Sequence, residues 1–108
     1  MPAGPAFAAV FKHGRRSKDD LFLVCATPNA QTYARLGVNV GRRVSTKAVL
    51  RNRIKRQVRE TFRRHQAEAV SLDVVVVAQV GAVAADNIML RNSLREHLIK
   101  VAQKCKKS

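Results

Sequence analysis

The sequence predicts an α+β fold in which helices pack on a small mixed β-sheet. Residues 72–78 are nearly all apolar and rich in valine, which is typical of a central strand covered on both faces. Residues 50–62 instead carry a large apolar side chain at every fourth position, the spacing of one helix face. Predicted helices and strands follow the order α-β-β-α-β-α, and we expect one domain over residues 1–108.

The chain opens with a predicted short helix. Pro5 suits its first turn, because the fixed φ of proline is compatible with a helix start. Phe7, Val10 and Phe11 would share one face, since they are three to four positions apart. Gly14 then favours the end of this helix.

Two strands are predicted next. A polar connection over residues 15–20 leads to an apolar run at 21–26, and alternation at 34–40 indicates a second strand. Turn-forming residues at 27–29 lie between them. We therefore expect the two strands to form a hairpin.

Two further helices flank the valine-rich strand. Ser45 or Thr46 is expected to cap a helix that runs to about residue 66, and Asp86 is expected to cap the last helix. The last helix carries its apolar residues on one side, namely Leu90, Leu94, Leu98, Val101 and Cys105.

The composition points to a polyanionic partner. Among 108 residues, 21 are Lys or Arg and 7 are Asp or Glu, which gives a formal charge of +14. So much like charge repels itself in a compact state, whereas an opposed polyanion reverses the sign of the effect. Nucleic acid is the first candidate, and an anionic membrane surface is the second.

Several other classes of protein are disfavoured. Cys25 and Cys105 are far apart and the three histidines are scattered, which argues against a structural zinc site or a disulfide framework. We expect two reduced thiols in a cytoplasmic protein. We expect no organic cofactor, and no grouping of His, Lys or acidic residues looks like a nuclease centre.

The helix predicted after residue 46 concentrates the charge. Seven of the fourteen residues from Arg51 to Arg64 are basic, and Glu60 is the only acid among them. Leu50, Ile54, Val58 and Phe62 form an apolar stripe, and Arg51, Lys55, Arg59 and Arg63 form a parallel row beside it. Arginine can grip phosphate through two hydrogen bonds, and Asn52 could read a base edge or a 2′-hydroxyl.

Two other interpretations of this helix are less favourable. A solvated basic face would only confer solubility, but like charges one turn apart are a poor choice for stability alone. A membrane-surface helix would need a free apolar face and often Trp, whereas this chain has no Trp and its stripe is needed for the core. We expect no membrane partner.

The segment Arg-Asn-Arg-Ile-Lys-Arg at 51–56, followed by Arg59 and Glu60, resembles the signature helix of the bacterial ribonuclease P protein subunit family. Residues 7–14 are similar to that family's first helix. Residues 37–43 are similar to the strand and basic turn before the signature, and 73–78 to the strand after it.

The resemblance implies a fold related to a ribosomal-protein domain, of order α-β-β-β-α-β-α in fuller members. It also implies a left-handed β-α-β crossover around the signature helix, against the usual right-handed rule. It implies two partners, ribonuclease P RNA and precursor tRNA, and no obligate protein partner. The RNA, with bound Mg²⁺ as cofactor, would remove the 5′ leader, and the protein would dock the leader and screen charge.

Particular residues match the family's functional positions. Those expected to face the catalytic RNA are Arg42, Arg43, Arg51, Asn52, Arg53, Lys55, Arg56 and Arg59. Phe7 and Phe11 match aromatic positions that line the leader-binding cleft, where rings stack on unpaired bases without demanding a sequence. Ordinary core packing is the alternative for both rings, because it needs the same spacing.

Two other functions are alternatives. The chain could be a structural RNA binder of ribosomal-protein type without a processing role, or a nucleoid-like DNA binder.

Overall fold

The computed structural model describes residues 10–106. Residues 10–13 are helical (α1). The elements after α1 are β1 (Arg15–Lys18), β2 (Phe22–Pro28), β3 (Arg35–Asn39), α2 (Ala48–Arg64), β4 (Leu72–Ala78) and α3 (Asn87–Lys106). Short 3₁₀ turns follow α2 at Gln66–Ala69 and β4 at Val80–Ala82. A four-stranded mixed sheet with three helices confirms the predicted fold class.

The sheet places the valine-rich strand in the middle. Its strand order is β1-β2-β4-β3. β2 is antiparallel to both β1 and β4, and β3 is parallel to β4, so that Val76 lies opposite Val24 on one side and Val38 on the other. β4 is buried at every position except Val77, which confirms the central strand predicted at residues 72–78.

Two predictions for the first half of the chain were wrong. Residues 15–18, expected to be part of a polar connection, form the edge strand β1, in which only Ser17 is buried. An edge strand needs one neighbour and can leave charged side chains in solvent, so RRSK carries no apolar strand signal. The observed order is the fuller one that the resemblance implied.

The hairpin predicted between β2 and β3 does not form, because β4 lies between them. Because β4 is apolar on both faces, it is most stable in the middle of the sheet with a strand on each side. It therefore pairs with both β2 and β3 and separates them. β3, α2 and β4 therefore make a β-α-β crossover between adjacent parallel strands. Its predicted left-handedness stays a prediction.

Helices cover the two faces of the sheet unequally. α2 and α3 cover one face, where their stripes pack on alternate residues of β2 and β4; this core includes Val24, Ile54, Val58, Val74, Val76, Leu94 and Leu98. On the other face Val10 of α1 packs with Cys25 and Val75. No helix within residues 10–106 is both long and apolar enough to span a membrane.

The helix starts differ in their capping. α2 begins after Lys47, which makes no capping side-chain hydrogen bond, so the cap predicted at Ser45 or Thr46 was wrong; the Ser45 hydroxyl instead accepts the Lys47 N–H. α2 ends at Arg64, two residues early. At α3 the Met89 N–H donates to Asp86 Oδ1 at 2.8 Å, which confirms that cap.

Candidate nucleic-acid interface

α2 presents one buried stripe and one cationic face. Ile54, Val58 and Phe62 are buried against the sheet, as predicted. The opposite side of the helix is exposed and polar, and it carries Asn52, Arg56, Arg59 and Arg63. Because the stripe is fixed in the core, the direction of the cationic face is fixed as well.

The cations of this face have few partners within the protein. Arg63 forms an ion pair with Glu60 at 2.9 Å, which occupies the one acid of the helix. In residues 10–106, no hydrogen bond or ion pair is formed by the side chains of Asn52, Lys55, Arg56 or Arg59. Their donors are therefore available to an external acceptor.

The basic turn before α2 is held against the helix by Arg51. Its guanidinium donates to the Ser45 carbonyl oxygen at 2.9 Å, so the side chain folds back along the first turn. Arg42 and Arg43 are exposed in the turn that the Val44 N–H to Gly41 C=O hydrogen bond closes. The structure thus places the predicted basic turn beside the N-terminal end of the predicted basic helix.

Arg53 is engaged elsewhere. Its guanidinium donates to the carbonyl oxygens of Val83 and Ala85 and to Asn87 Oδ1, at distances of 3.0–3.3 Å. These groups lie in the connection between β4 and α3. The structure gives Arg53 the role of tying α2 to that connection, and its contact with RNA stays a prediction.

A groove of about 240 Å³ lies between the basic turn and the carboxyl ends of the parallel strands. Arg43 and Gly41 line one side, and Asn39 of β3 and Val77 of β4 line the other. Asn39 and Val77 are register partners, and Val77 packs at the edge of the cluster beneath α1. The groove therefore leads from the cationic surface to the sheet face that α1 covers.

The predicted leader-binding cleft is described at one of its two aromatic positions. Phe7 lies outside the described residues. Phe11 is half-buried and packs against the Val10, Cys25 and Val75 cluster, and its carbonyl accepts a hydrogen bond from Arg16 at 2.6 Å. The packing alternative thus holds for at least part of the Phe11 ring, and stacking on RNA stays a prediction.

An ion pair that sequence reasoning missed lies at the other end of this sheet face. Arg35 donates twice to Asp73, at 2.7 Å to each carboxylate oxygen, and Asn29 donates to Oδ1 at 2.9 Å. These hydrogen bonds, with that from Arg35 the largest, hold the pKa of Asp73 below its ordinary value. Asp73 is the one acid in a run of valines, which was the signal available in the sequence. Its partner could not be predicted, because Arg35 is placed opposite it by the parallel register of β3 and β4.

A Ser–His–Asp grouping under α3 is structural. Ser17 Oγ lies 2.6 Å from His97 Nδ1, and His97 Nε2 lies 3.1 Å from Asp19 Oδ2. Ser17 and His97 are only 7% and 3% exposed, so a substrate has no access to them. Asp19 also accepts the N–H groups of Leu21 and Phe22, so its carboxylate stabilises the turn that leads into β2.

The environment of Asp19 favours its charged form. Partial burial opposes ionisation. Hydrogen bonds from the Ser93 hydroxyl and from the N–H groups of Phe22 and Leu21, together with the His97 ring 3.1 Å away, outweigh that burial and lower the pKa to about 2. No three His, Cys, Asp or Glu side chains that could hold a metal ion lie together in the part of the chain that the structure describes.

Comparisons with known proteins agree on one family. The ribonuclease P family model matches residues 3–102. The ribonuclease P protein component of Methylococcus capsulatus is 39% identical over 99 residues, which is 92% of this chain and 77% of that protein. The corresponding protein of Staphylococcus haemolyticus is 32% identical over 97 residues, 90% of this chain and 83% of that protein.

Solved structures agree with the sequence matches. The ribonuclease P protein of Staphylococcus aureus superimposes with a TM-score of 0.83 at 30% identity, over 91% of this chain and 90% of that one. The protein from Thermotoga maritima gives 0.80 at 31% identity, over 90% and 92%. The chain therefore belongs to the ribonuclease P protein family, the protein components of a tRNA-processing ribonucleoprotein.

Proposed function

We propose that this chain binds the catalytic RNA of ribonuclease P and the 5′ leader of precursor tRNA, and so assists Mg²⁺-dependent removal of the leader. The observation that carries the proposal is the unpartnered cationic surface formed by α2 and the turn before it. Its members are Arg42, Arg43, Asn52, Lys55, Arg56 and Arg59, with Arg51 holding the turn in place.

Charge and geometry favour a nucleic acid as the partner of this surface. Arg56 and Arg59 project from a helix whose other side is fixed in the core, so the main chain that carries them is already ordered before they meet a phosphate backbone. Each phosphate contact releases condensed counterions, which favours binding at low salt. Asn52 in their midst supplies a neutral donor and acceptor for a base edge or a 2′-hydroxyl.

The leader is proposed to run along the sheet face beside α1. The groove beside Arg43 and Asn39 opens toward this face, and Phe11 lies on it. A single strand crossing from the cationic surface would meet charged, polar and aromatic groups in turn, as in other single-strand binding sites.

The chemical step is assigned to the RNA subunit with its bound Mg²⁺. Residues 10–106 contain no group of three His, Cys, Asp or Glu side chains that could hold a metal ion, and the ion is proposed to lie on the RNA. The protein would hold two polyanions together at Mg²⁺ levels at which they otherwise repel each other. The cytoplasm is the proposed location, which the buried and unbridged Cys25 and Cys105 support.

Reconstitution tests the proposal. The chain is added to a bacterial ribonuclease P RNA at an Mg²⁺ concentration too low for the RNA to act alone, and cleavage of precursor tRNA is measured. We expect cleavage to be restored, and to be restored less well by Arg56→Gln/Arg59→Gln than by Lys18→Gln/Lys100→Gln, which removes the same charge elsewhere. Tight RNA binding without any stimulation would reject the processing role and leave a structural RNA binder. A preference for duplex DNA over this RNA at matched salt would favour a DNA binder.

A further inference from the structure

α2 and α3 enclose a second basic groove, on a different side of α2 from the basic turn. It measures about 360 Å³ and is lined by Thr61, Arg64 and His65 from the end of α2 and by Arg91, Asn92 and Arg95 from α3. Arg51, which holds the basic turn, and Arg64 are thirteen positions apart, so they lie about 140° apart around the helix. The groove is thus a separate surface from the one that faces Arg42 and Arg43.

The groove collects positive charge without a carboxylate among its lining residues. Arg91 and Arg95 lie one turn apart on α3, where like charges repel, and Arg64 faces them from α2. Two acids lie nearby: Glu60 pairs with Arg63, outside the lining of the groove, at 2.9 Å, and Glu68 lies 3.7 Å from His65, which is a lining residue.

The arginine side chains are positioned to bind an anion. Nε of Arg91 donates to the Asn87 carbonyl oxygen at 3.2 Å, which orients the guanidinium and leaves its terminal amino groups for another acceptor. Arg64 and Arg95 are exposed, and within residues 10–106 they have no hydrogen-bond or ion-pair partner. The buried hydroxyl of Thr61 at the edge of the groove has no hydrogen-bond partner there either.

We propose that this groove binds RNA phosphates, as a second RNA contact in addition to the outward face of α2. The inference rests on the proposed function. An RNA backbone is favoured over an acidic protein segment because the groove adjoins the cationic face through Arg63 and Arg64, and because a partner that spans several phosphates can engage both surfaces at once. Three forked guanidinium groups also match the acceptor geometry of phosphate oxygens.

Salt-dependent binding tests the proposal. The affinities of wild type, Arg91→Gln/Arg95→Gln and the control Lys18→Gln/Lys100→Gln are measured for ribonuclease P RNA and for precursor tRNA over a salt series. We expect the groove variant to reduce the slope of log K against log salt by about two with one of these RNAs, which identifies the source of the phosphates. The control should leave the slope as in wild type.

Other outcomes would overturn the inference. The first is an unchanged slope for the groove variant with both RNAs, and the second is an equal reduction of the slope in the control. The third is a groove variant that loses its affinity for polyglutamate, a probe for an acidic protein segment, while its RNA binding stays intact. Arg64→Gln/Arg95→Gln repeats the test with two side chains that have no partner in the described chain, so misfolding does not explain the result. If the wild-type chain stimulates cleavage but the variants have the same salt slope as wild type, only the proposal for the groove is rejected. If the wild-type chain fails to stimulate cleavage, the proposed function is rejected.

Crosslinking provides an independent measurement. Asn92→Cys carries a photoreactive group into the groove, and Lys100→Cys carries it about 12 Å further along α3 and about 80° around it, outside the lining of the groove. The native thiols interfere little, since Cys25 and Cys105 are buried and burial raises their pKa. RNA crosslinks from position 92 that exceed those from position 100 support the proposal, and equal yields contradict it.

Discussion

Neighbouring arginines of the signature segment do different work. Arg51 and Arg53 donate to main-chain carbonyls, at Ser45 and at Val83 and Ala85, whereas Arg56 projects into solvent. A run of basic residues is thus divided between those that shape the surface and those that are free to contact a partner. Helical position decides the division, since Arg53 and Arg56 lie about 60° apart and only one side faces the β4–α3 connection.

Substitution separates the two roles. Arg53→Gln should lower the free energy of unfolding by about 1–3 kcal/mol, because carbonyl groups of the β4–α3 connection lose their donor. Arg56→Gln should leave stability nearly unchanged and reduce the salt slope of RNA binding by about one. Urea unfolding and salt-dependent RNA binding measure the two effects. A stable Arg53 variant with a reduced slope would instead make Arg53 a phosphate contact.

The turn at Asp19 predicts a pH dependence. Its pKa is lowered to about 2 in the folded protein, so the unfolded chain takes up the proton first as the pH falls. The stability that Asp19 contributes is therefore complete above about pH 4 and is lost between about pH 4 and pH 2. Thermal unfolding across this range should show a smaller decline for Asp19→Asn than for wild type. Asp20→Asn is the control and should decline as wild type does.

At the scale of elements, α2 depends on tertiary packing. Its start lacks a side-chain cap and its first turn lacks an acid, so both usual stabilising features of a helix N-terminus are missing. Burial of Ile54, Val58 and Phe62 compensates for this. The stability of α2 therefore depends on its packing against the sheet.

A paired substitution measures that contact. Ile54→Ala should lower the free energy of unfolding by about 2–5 kcal/mol, since it leaves a cavity beneath a fully buried position. Val49→Ala removes a comparable apolar group from a side chain that is 79% exposed, and it should have little effect. Equal losses in chemical denaturation would contradict this account of α2.

At the scale of the whole molecule, the charge of +14 lies on the surface, around a core whose described residues are almost all apolar. Repulsion across the surface lowers the stability of the free protein, and a bound polyanion removes it. Binding to the native state alone then adds to stability by mass action.

Tripolyphosphate at millimolar concentration should therefore stabilise the chain. At 100 times its Kd the gain is about 2.7 kcal/mol, which is a rise in Tm of about 10 °C or more for a domain of this size. Chloride at matched ionic strength is the reference. Arg56→Gln/Arg59→Gln should gain less than wild type, and an identical gain would show that these residues do not bind the anion.

Sequence reasoning reached the parts of the molecule that depend on local pattern. The stripe from Ile54 to Phe62, the buried valines of β4 and the Asp86 cap each follow from periodicity or from one residue's chemistry. β1 was missed because a four-residue edge strand of polar residues has no pattern of its own, and the hairpin was wrong because pairing depends on competition among strands. Two features could not be predicted: the hydrogen bonds from Arg53 to Ala85 and the groove between Arg64 and Arg91. Each depends on how α2 packs against another part of the chain, and no local sequence pattern indicates that packing.

The central place of β4 has a consequence for the order in which the protein is made. β2 and β3 are both synthesised before β4, yet they pair with β4 and not with each other. The sheet therefore cannot close until residue 78 has been added, and α2 has no complete sheet to pack on before then. We therefore expect the basic helix to acquire its fixed direction, and the cationic surface its shape, only after β4 has left the ribosome.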